Sequence, residues 1–238
     1  MFPMRAVVIG TFLPTILFET GVGAVLPIIA ASATGFGASI ALAGLLVSLL
    51  PIGQIIADLP AGALAARIGD RWSMAVAGAI AVCAFVVGAL ATAVWMLAIT
   101  VVLMGVASSV FFLARQSYLT AITHPLRRAR VMSTLGGVHR IGLFVGPFVG
   151  AAIIVTVALS WVYWMAALCA VGALVVVLMT GEDQDAVESE GRVRASMLSV
   201  IRDNWRLFMT IGVVSLLIGA VRGARNTVLP LWAEHVGI

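Results

Sequence analysis

Lysine is absent from this 238-residue sequence, and all fourteen basic residues are arginine. Without a lysine amine there is no Schiff base to a cofactor or carbonyl substrate. Nor is there a G-x-x-x-x-G-K-S/T phosphate loop, which excludes ATP-driven work by this chain. Charge of either sign is scarce, at 10% of residues, where soluble domains carry about 25%. Hydrophobic residues reach 62% and mean hydropathy is +1.16. Such a chain cannot cover a water-facing surface, so lipid is its solvent. Cysteine is limited to Cys83 and Cys169, each inside an apolar run and read as a small membrane-buried side chain. No His/Cys/carboxylate cluster has metal-ligand spacing and no catalytic constellation appears, so neither enzyme activity nor a metal or cofactor is expected. The net charge of +4 is scattered through short loops, which gives no footing for nucleic acid.

Apolar stretches of about 20 residues mark spanning helices. They fall at residues 6–31, 40–66, 73–92, 95–121, 131–157, 161–180 and 207–230. The run from Ser73 to Ala114 is nearly unbroken, and its length requires a turn near Thr92. Elsewhere short breaks separate the spans, such as Ser32-Ala33-Thr34-Gly35 and Leu159-Ser160. Arg5 followed by an apolar run resembles a signal peptide with Ala31-Ser32-Ala33 as its cleavage site. The run is too long for that and contains Glu19, which indicates a retained first span.

Arginine sets the orientation. Arg5, then Arg67 and Arg71, then Arg127, Arg128 and Arg130, then Arg192, Arg194, Arg202 and Arg206 fall on one side of alternate spans. The intervening loops near residues 32–39, 92–95 and 158–161 contain none. The expected topology is a multi-pass protein of the cell membrane with its N-terminus in the cytoplasm. Residues 181–206 begin acidic and turn basic, as a solvated linker against anionic headgroups would. The fold class is therefore an all-α polytopic membrane bundle: six spans over 1–180, a cytoplasmic linker over 181–206, and one further span within 207–238. The first and seventh spans share a pattern, Val25-Leu26-Pro27-Ile28-Ile29-Ala30 against Val228-Leu229-Pro230-Leu231-Trp232-Ala233. Parallel repeats of this kind are one transporter plan.

Three segments resemble the major facilitator superfamily. The second-to-third loop, Gly62-Ala63-Leu64-Ala65-Ala66-Arg67-Ile68-Gly69-Asp70-Arg71, is similar to its G-x-L-a-D-R-x-G-R-R/K motif. Gly62, Leu64, Arg67, Gly69 and Arg71 match, while Ala66 stands where the motif has Asp and Asp70 where it has a basic residue. The motif's Asp helps latch the family's two halves, and the nearest carboxylate here is Asp58, two turns earlier on the same face. The fifth span carries Gly142-Leu143-Phe144-Val145-Gly146-Pro147-Phe148-Val149-Gly150-Ala151, similar to the antiporter motif G-x-x-x-G-P-x-x-G-G. Gly142, Gly146, Pro147 and Gly150 match it. The alternative reading is generic small-residue packing. The basic turn His124-Pro125-Leu126-Arg127-Arg128-Ala129-Arg130 is the third segment. Arg115 lacks the Gln and Gly that follow the family's fourth-span arginine. The resemblance implies a six-helix N-terminal half plus the first helix of a second half. A twelve-span transporter needs five more, so the sequence reads as truncated and as needing a C-terminal half or a second copy.

Ionisable groups inside spans face a cavity or a partner. The candidates are Glu19, Asp58, Arg115, His139, Arg140, Arg222 and Arg225. At about 1.5 Å of rise per residue, Arg140 sits about 15 Å beyond Arg130, near the midplane. Glu19 lies about 20 Å in and Arg222 about 24 Å beyond Arg206, at similar depth in the first–seventh alignment. A desolvated carboxyl favours its protonated form and an approaching Arg favours the carboxylate, so Glu19 can load and release a proton. Equally, it reads as a fixed ion pair with Arg222 or Arg225. Asp58 reads as a gating or packing residue. His139 is a relay or a simple hydrogen-bonding group, and Arg140 a partner for a carboxylate or an anionic substrate group. The expected function is proton-coupled antiport that exports a small organic molecule, with protons, substrate and the bilayer as partners. Uptake of an organic anion, favoured by the arginine surplus, and a non-transporting scaffold are the alternatives. A retinal-type receptor fails for want of lysine.

Overall fold

In the computed structural model the described residues are 8–180, plus the six helical positions 205, 209, 210, 213, 214 and 217. The chain divides into two units, Met1–Arg192 and Val193–Ile238, and the first holds every element between residues 8 and 180. The linker expected at 181–206, the seventh span, Arg222 and Arg225 lie outside the described residues, those six positions apart.

A π-helical turn, Val8–Phe12, leads into α1 (Leu13–Val25), which Pro27 separates from α2 (Ile28–Gly35). Together they form the first span. The remaining spans are α3 (Ile40–Ile68), α4 (Asp70–Ala89), α5 (Val94–Ile122), α6 (Arg128–Thr156) and α7 (Ser160–Met179). All six are long and apolar enough to cross a membrane, as expected of a multi-pass membrane protein, and the turn required near Thr92 lies between α4 and α5.

The span boundaries shift by up to four residues from expectation, and two of the shifts have a clear local reason. The first span does not end at Ala31 but runs to Gly35. The Ser and Thr of the supposed break are satisfied within the bundle instead: Thr34 Oγ1 donates to the Ala31 carbonyl at 3.0 Å. Ser32 hydrogen-bonds Tyr163 of α7 at 3.0 Å. The third span starts at Asp70, not Ser73, because Gly69 turns the chain sharply. Its φ of +94° lies where a side chain would be strained, so glycine closes α3 and opens α4 in one residue. Ser39 begins α3 as its cap, accepting from the Leu42 N–H at 3.3 Å.

The packing follows a repeat. The first span lies along α6 and α7, the fourth span (α5) lies along α3 and α4, and α4 meets α7. Exchanging spans one and four, two and five, three and six maps the contacts of the first span onto those of the fourth and the α4–α7 contact onto itself. Spans three apart run in opposite directions, so the six form two inverted three-helix repeats. The second and fifth spans, α3 and α6, are the least buried. They expose Ile52, Ile55, Ile56 and Leu59 on one and Ile141, Phe144 and Phe148 on the other. Lipid or another apolar helix suits such faces. The bundle core is rich in alanine and valine, and its small residues bring helices close enough to bury charged side chains between them.

Candidate functional site

Close approach of α1 and α6 builds the site. Gly142, Gly146 and Gly150, one turn apart, are all buried on the face of α6 toward α1. A Cβ on Gly142 would stand 2.6 Å from the Glu19 Cβ. One on Gly146 would stand 2.5 Å from the Ala24 nitrogen and 2.6 Å from the Thr20 carbonyl. The glycines of the Gly-Pro motif thus let the α6 backbone rest on the first span beside Glu19. His139 lies three residues before Gly142, on the same face, and is carried to the Glu19 carboxylate.

There His139 Nδ1 is 2.7 Å from Glu19 Oε1. A nitrogen and a carboxyl oxygen this close share a proton: either the imidazole donates to the carboxylate or the carboxylic acid donates to the imidazole. Arg115 Nη1 donates to the same oxygen at 3.1 Å, and its Nη2 lies 3.3 Å from His139 Nδ1. Arg115 is wholly buried, and the side chains of Glu19 and His139 are 7% and 32% exposed. Its guanidinium lies 5.1 Å from the Phe112 ring centre and 5.7 Å from that of Phe111, within cation–π range. Phe111 in turn stacks on Phe18 at 4.4 Å, which ties the charged cluster to the core. Arg115 Nε has no hydrogen-bond partner among the described residues, so the cluster is not a fully satisfied ion pair.

Glu19 and His139 open on a cavity of about 410 Å³. Its polar wall is completed by Gln54 and Asp58, one turn apart on α3, and by Ser108 and Ser109 on α5. Ser109 Oγ donates to Asp58 Oδ1 at 2.5 Å, joining the second and fourth spans. Val22, Leu26, Leu50, Leu143 and Phe112 supply the apolar wall.

Of the expected residues, the structure therefore brings Glu19, Arg115 and His139 together and sets Asp58 on the same cavity. Arg140 is not with them: it is exposed and absent from the cavity wall, because adjacent helical residues point about 100° apart. The described partners of Glu19 are Arg115 and His139; the expected pairing with Arg222 or Arg225 concerns residues outside those described. Gln54, Ser108, Ser109 and Phe112 join the site without having been expected from sequence. The polar doublet in α5 and the one-turn spacing of Gln54 and Asp58 are the signals that point to them.

The loop motif lies apart from the cavity. Arg71 Nη2 donates to the Leu178 carbonyl at 2.7 Å, capping the C-terminal end of α7, whose last carbonyls lack helical partners. Gly69 makes the turn between α3 and α4, and Arg67 is exposed. Cys83 and Cys169 are free, and among the described residues no His, Cys, Asp and Glu cluster could hold a metal ion.

Known proteins share this architecture. The family described as the Major Facilitator Superfamily matches residues 10–238. Crystal structures of the peptide transporter POT are similar in fold. A mutant bound to alafosfalin aligns with TM-score 0.69 at 16% identity, covering 98% of this chain and 51% of that one. The same transporter bound to sulfate aligns with TM-score 0.69 at 16% identity, covering 93% of this chain and 46% of that one. The chain thus spans about half the length of the solved transporters it resembles. No curated protein matches it. With the family match running over nearly all of its length, the chain belongs to the Major Facilitator Superfamily.

Proposed function

We propose that the protein is a secondary transporter, not an enzyme, that exports a small organic molecule in exchange for protons, with Glu19 as the group that carries the proton. One observation carries this reading. The Glu19 carboxyl is buried, lies 2.7 Å from His139 Nδ1, accepts from Arg115, and still opens on a 410 Å³ cavity. A carboxylate fixed only for stability has no need of a titratable partner on a cavity wall.

The chemistry is a switch between two pairings. With Glu19 ionised, Arg115 and the imidazole N–H both hold the carboxylate, locking α1, α5 and α6 together. A proton arriving from the cavity neutralises the carboxylate and weakens its hold on Arg115. The three spans are then freer to shift against one another. The Gly-Pro packing of α6 on the first span supports antiport, through the motif it resembles. The arginine pattern of the loops supports a cytoplasmic N-terminus, and alignment with about half of each solved transporter supports completion of the carrier by a second half or a second copy.

The test is the pH gradient in everted membrane vesicles, read with an acridine dye while a panel of small organic compounds is added. At least one compound collapses the gradient faster in vesicles carrying the protein than in vesicles without it. No difference across the panel contradicts the proposal.

A further inference from the structure

We infer that Asp58 binds the cationic nitrogen of the substrate, which makes the substrate class an organic cation with an apolar body. This rests on the proposed transport function and adds to it the chemistry of the cargo. Charge on the cavity wall is the starting point. Arg115 is wholly buried, is not a wall residue, and is matched by Glu19. Asp58 has no such match: its hydrogen bond comes from the Ser109 hydroxyl, and no cationic side chain forms a salt bridge with it among the described residues. Arg140, the other arginine well inside a described span, is not on the cavity. An anionic substrate would meet the unmatched Asp58 carboxylate, and among the described residues no arginine lines the cavity, which is unfavourable in a site of low dielectric.

The surroundings of Asp58 suit an ammonium group. A carboxylate only accepts, and Ser109 uses one of its several lone-pair sites. Gln54 offers a carbonyl one turn away, and Ser108 Oγ lacks a partner among the described residues. The Phe112 ring on the same wall attracts cations, while Leu50 and Leu143 face the body of the molecule. Spans two and four are held in register near this point by Gly53, where a Cβ would stand 2.5 Å from the Val102 carbonyl. Charge balance also suits exchange: one proton entering as one monovalent cation leaves keeps the net charge of the wall constant. Neither loaded state then buries an extra charge.

The experiment is equilibrium dialysis of the purified protein in lipid nanodiscs with benzyltrimethylammonium and with phenylmethanesulfonate, probes of similar size and opposite charge. The expected result is saturable binding of the cation alone. Asp58→Asn weakens it by about 10-fold or more, and Asp58→Glu, which keeps the charge and controls for folding, stays within about 3-fold of the native protein. Saturable binding of the sulfonate, cation binding indifferent to Asp58→Asn, or binding of neither probe overturns the inference. The two readings fail separately. Proton-linked flux without Asp58-dependent binding removes this role of Asp58 alone, whereas Asp58-dependent binding without proton-linked flux removes the role of Glu19.

Discussion

Arg115 and Glu19, 96 positions apart in the chain, meet at 3.1 Å inside the bundle, and only one of them can lose its charge there. Glu19 can be neutralised by a proton; a guanidinium cannot be deprotonated in a protein. Removing either partner therefore has unequal consequences. Glu19→Gln strands a buried cation and lowers stability by on the order of 3 kcal/mol. Arg115→Gln costs less, because His139 still holds the Glu19 carboxyl. The double variant recovers part of the Glu19→Gln loss, as coupled partners do. Thermal unfolding of the purified variants in detergent measures all three, and equal losses with no recovery would show the pair to be energetically idle.

Gly146 tests the helix contact that delivers His139 to the site. Its added Cβ would stand 2.5 Å from a backbone atom of the first span, whereas Gly137 on the same helix has nothing within 4 Å. Gly146→Ala should lower stability by about 1–3 kcal/mol and reduce transport, while Gly137→Ala changes neither. Unfolding and flux, at matched membrane levels, make the comparison. Equal tolerance at both positions would reduce the Gly-Pro motif to ordinary small-residue packing.

Orientation is checked at two loops. Thr92 and Leu126 lie beyond opposite ends of α5, and Leu126 is fully presented at 89% exposure. In a background without Cys83 and Cys169, Thr92→Cys should react with a membrane-impermeant maleimide in intact cells. Leu126→Cys, beside the arginines of the fourth-to-fifth loop, should react only after permeabilisation. The reverse pattern would place the N-terminus outside.

How far the site is legible in sequence depends on what each residue needs. Six spans are legible because lipid demands about 20 apolar residues of each, and only polar-looking breaks mislead. Ser32 and Thr34 suggest a loop, yet Tyr163 and the helix's own carbonyls satisfy them. Gly142, Gly146 and Gly150 are legible as a packing face, since spacing alone puts them on one side of a helix. Which helix they pack against, and that Glu19 is the side chain they admit, depends on tertiary contact. Arg115 is easily undervalued because the residues after it depart from the family pattern. Nothing local marks a wholly buried arginine whose partner lies on another span. Asp58 is visible as an intramembrane carboxylate, but its setting opposite Ser109 emerges only when spans two and four are brought together.

Coupling through Glu19 is tested most directly by flux in vesicles with and without an imposed pH gradient, for Glu19→Gln and for Glu19→Gln with Arg115→Gln. Flux is normalised to folded protein in the membrane. Glutamine keeps the size and hydrogen bonding of Glu19 but carries neither a proton nor a charge, and the double variant removes the stranded arginine as a separate cause of failure. If Glu19 carries the proton, the native protein moves substrate against its concentration gradient when the pH gradient is present. Both variants at most equilibrate it, with or without that gradient. Uphill transport by the Gln variant, at the native pH dependence, would contradict this role of Glu19.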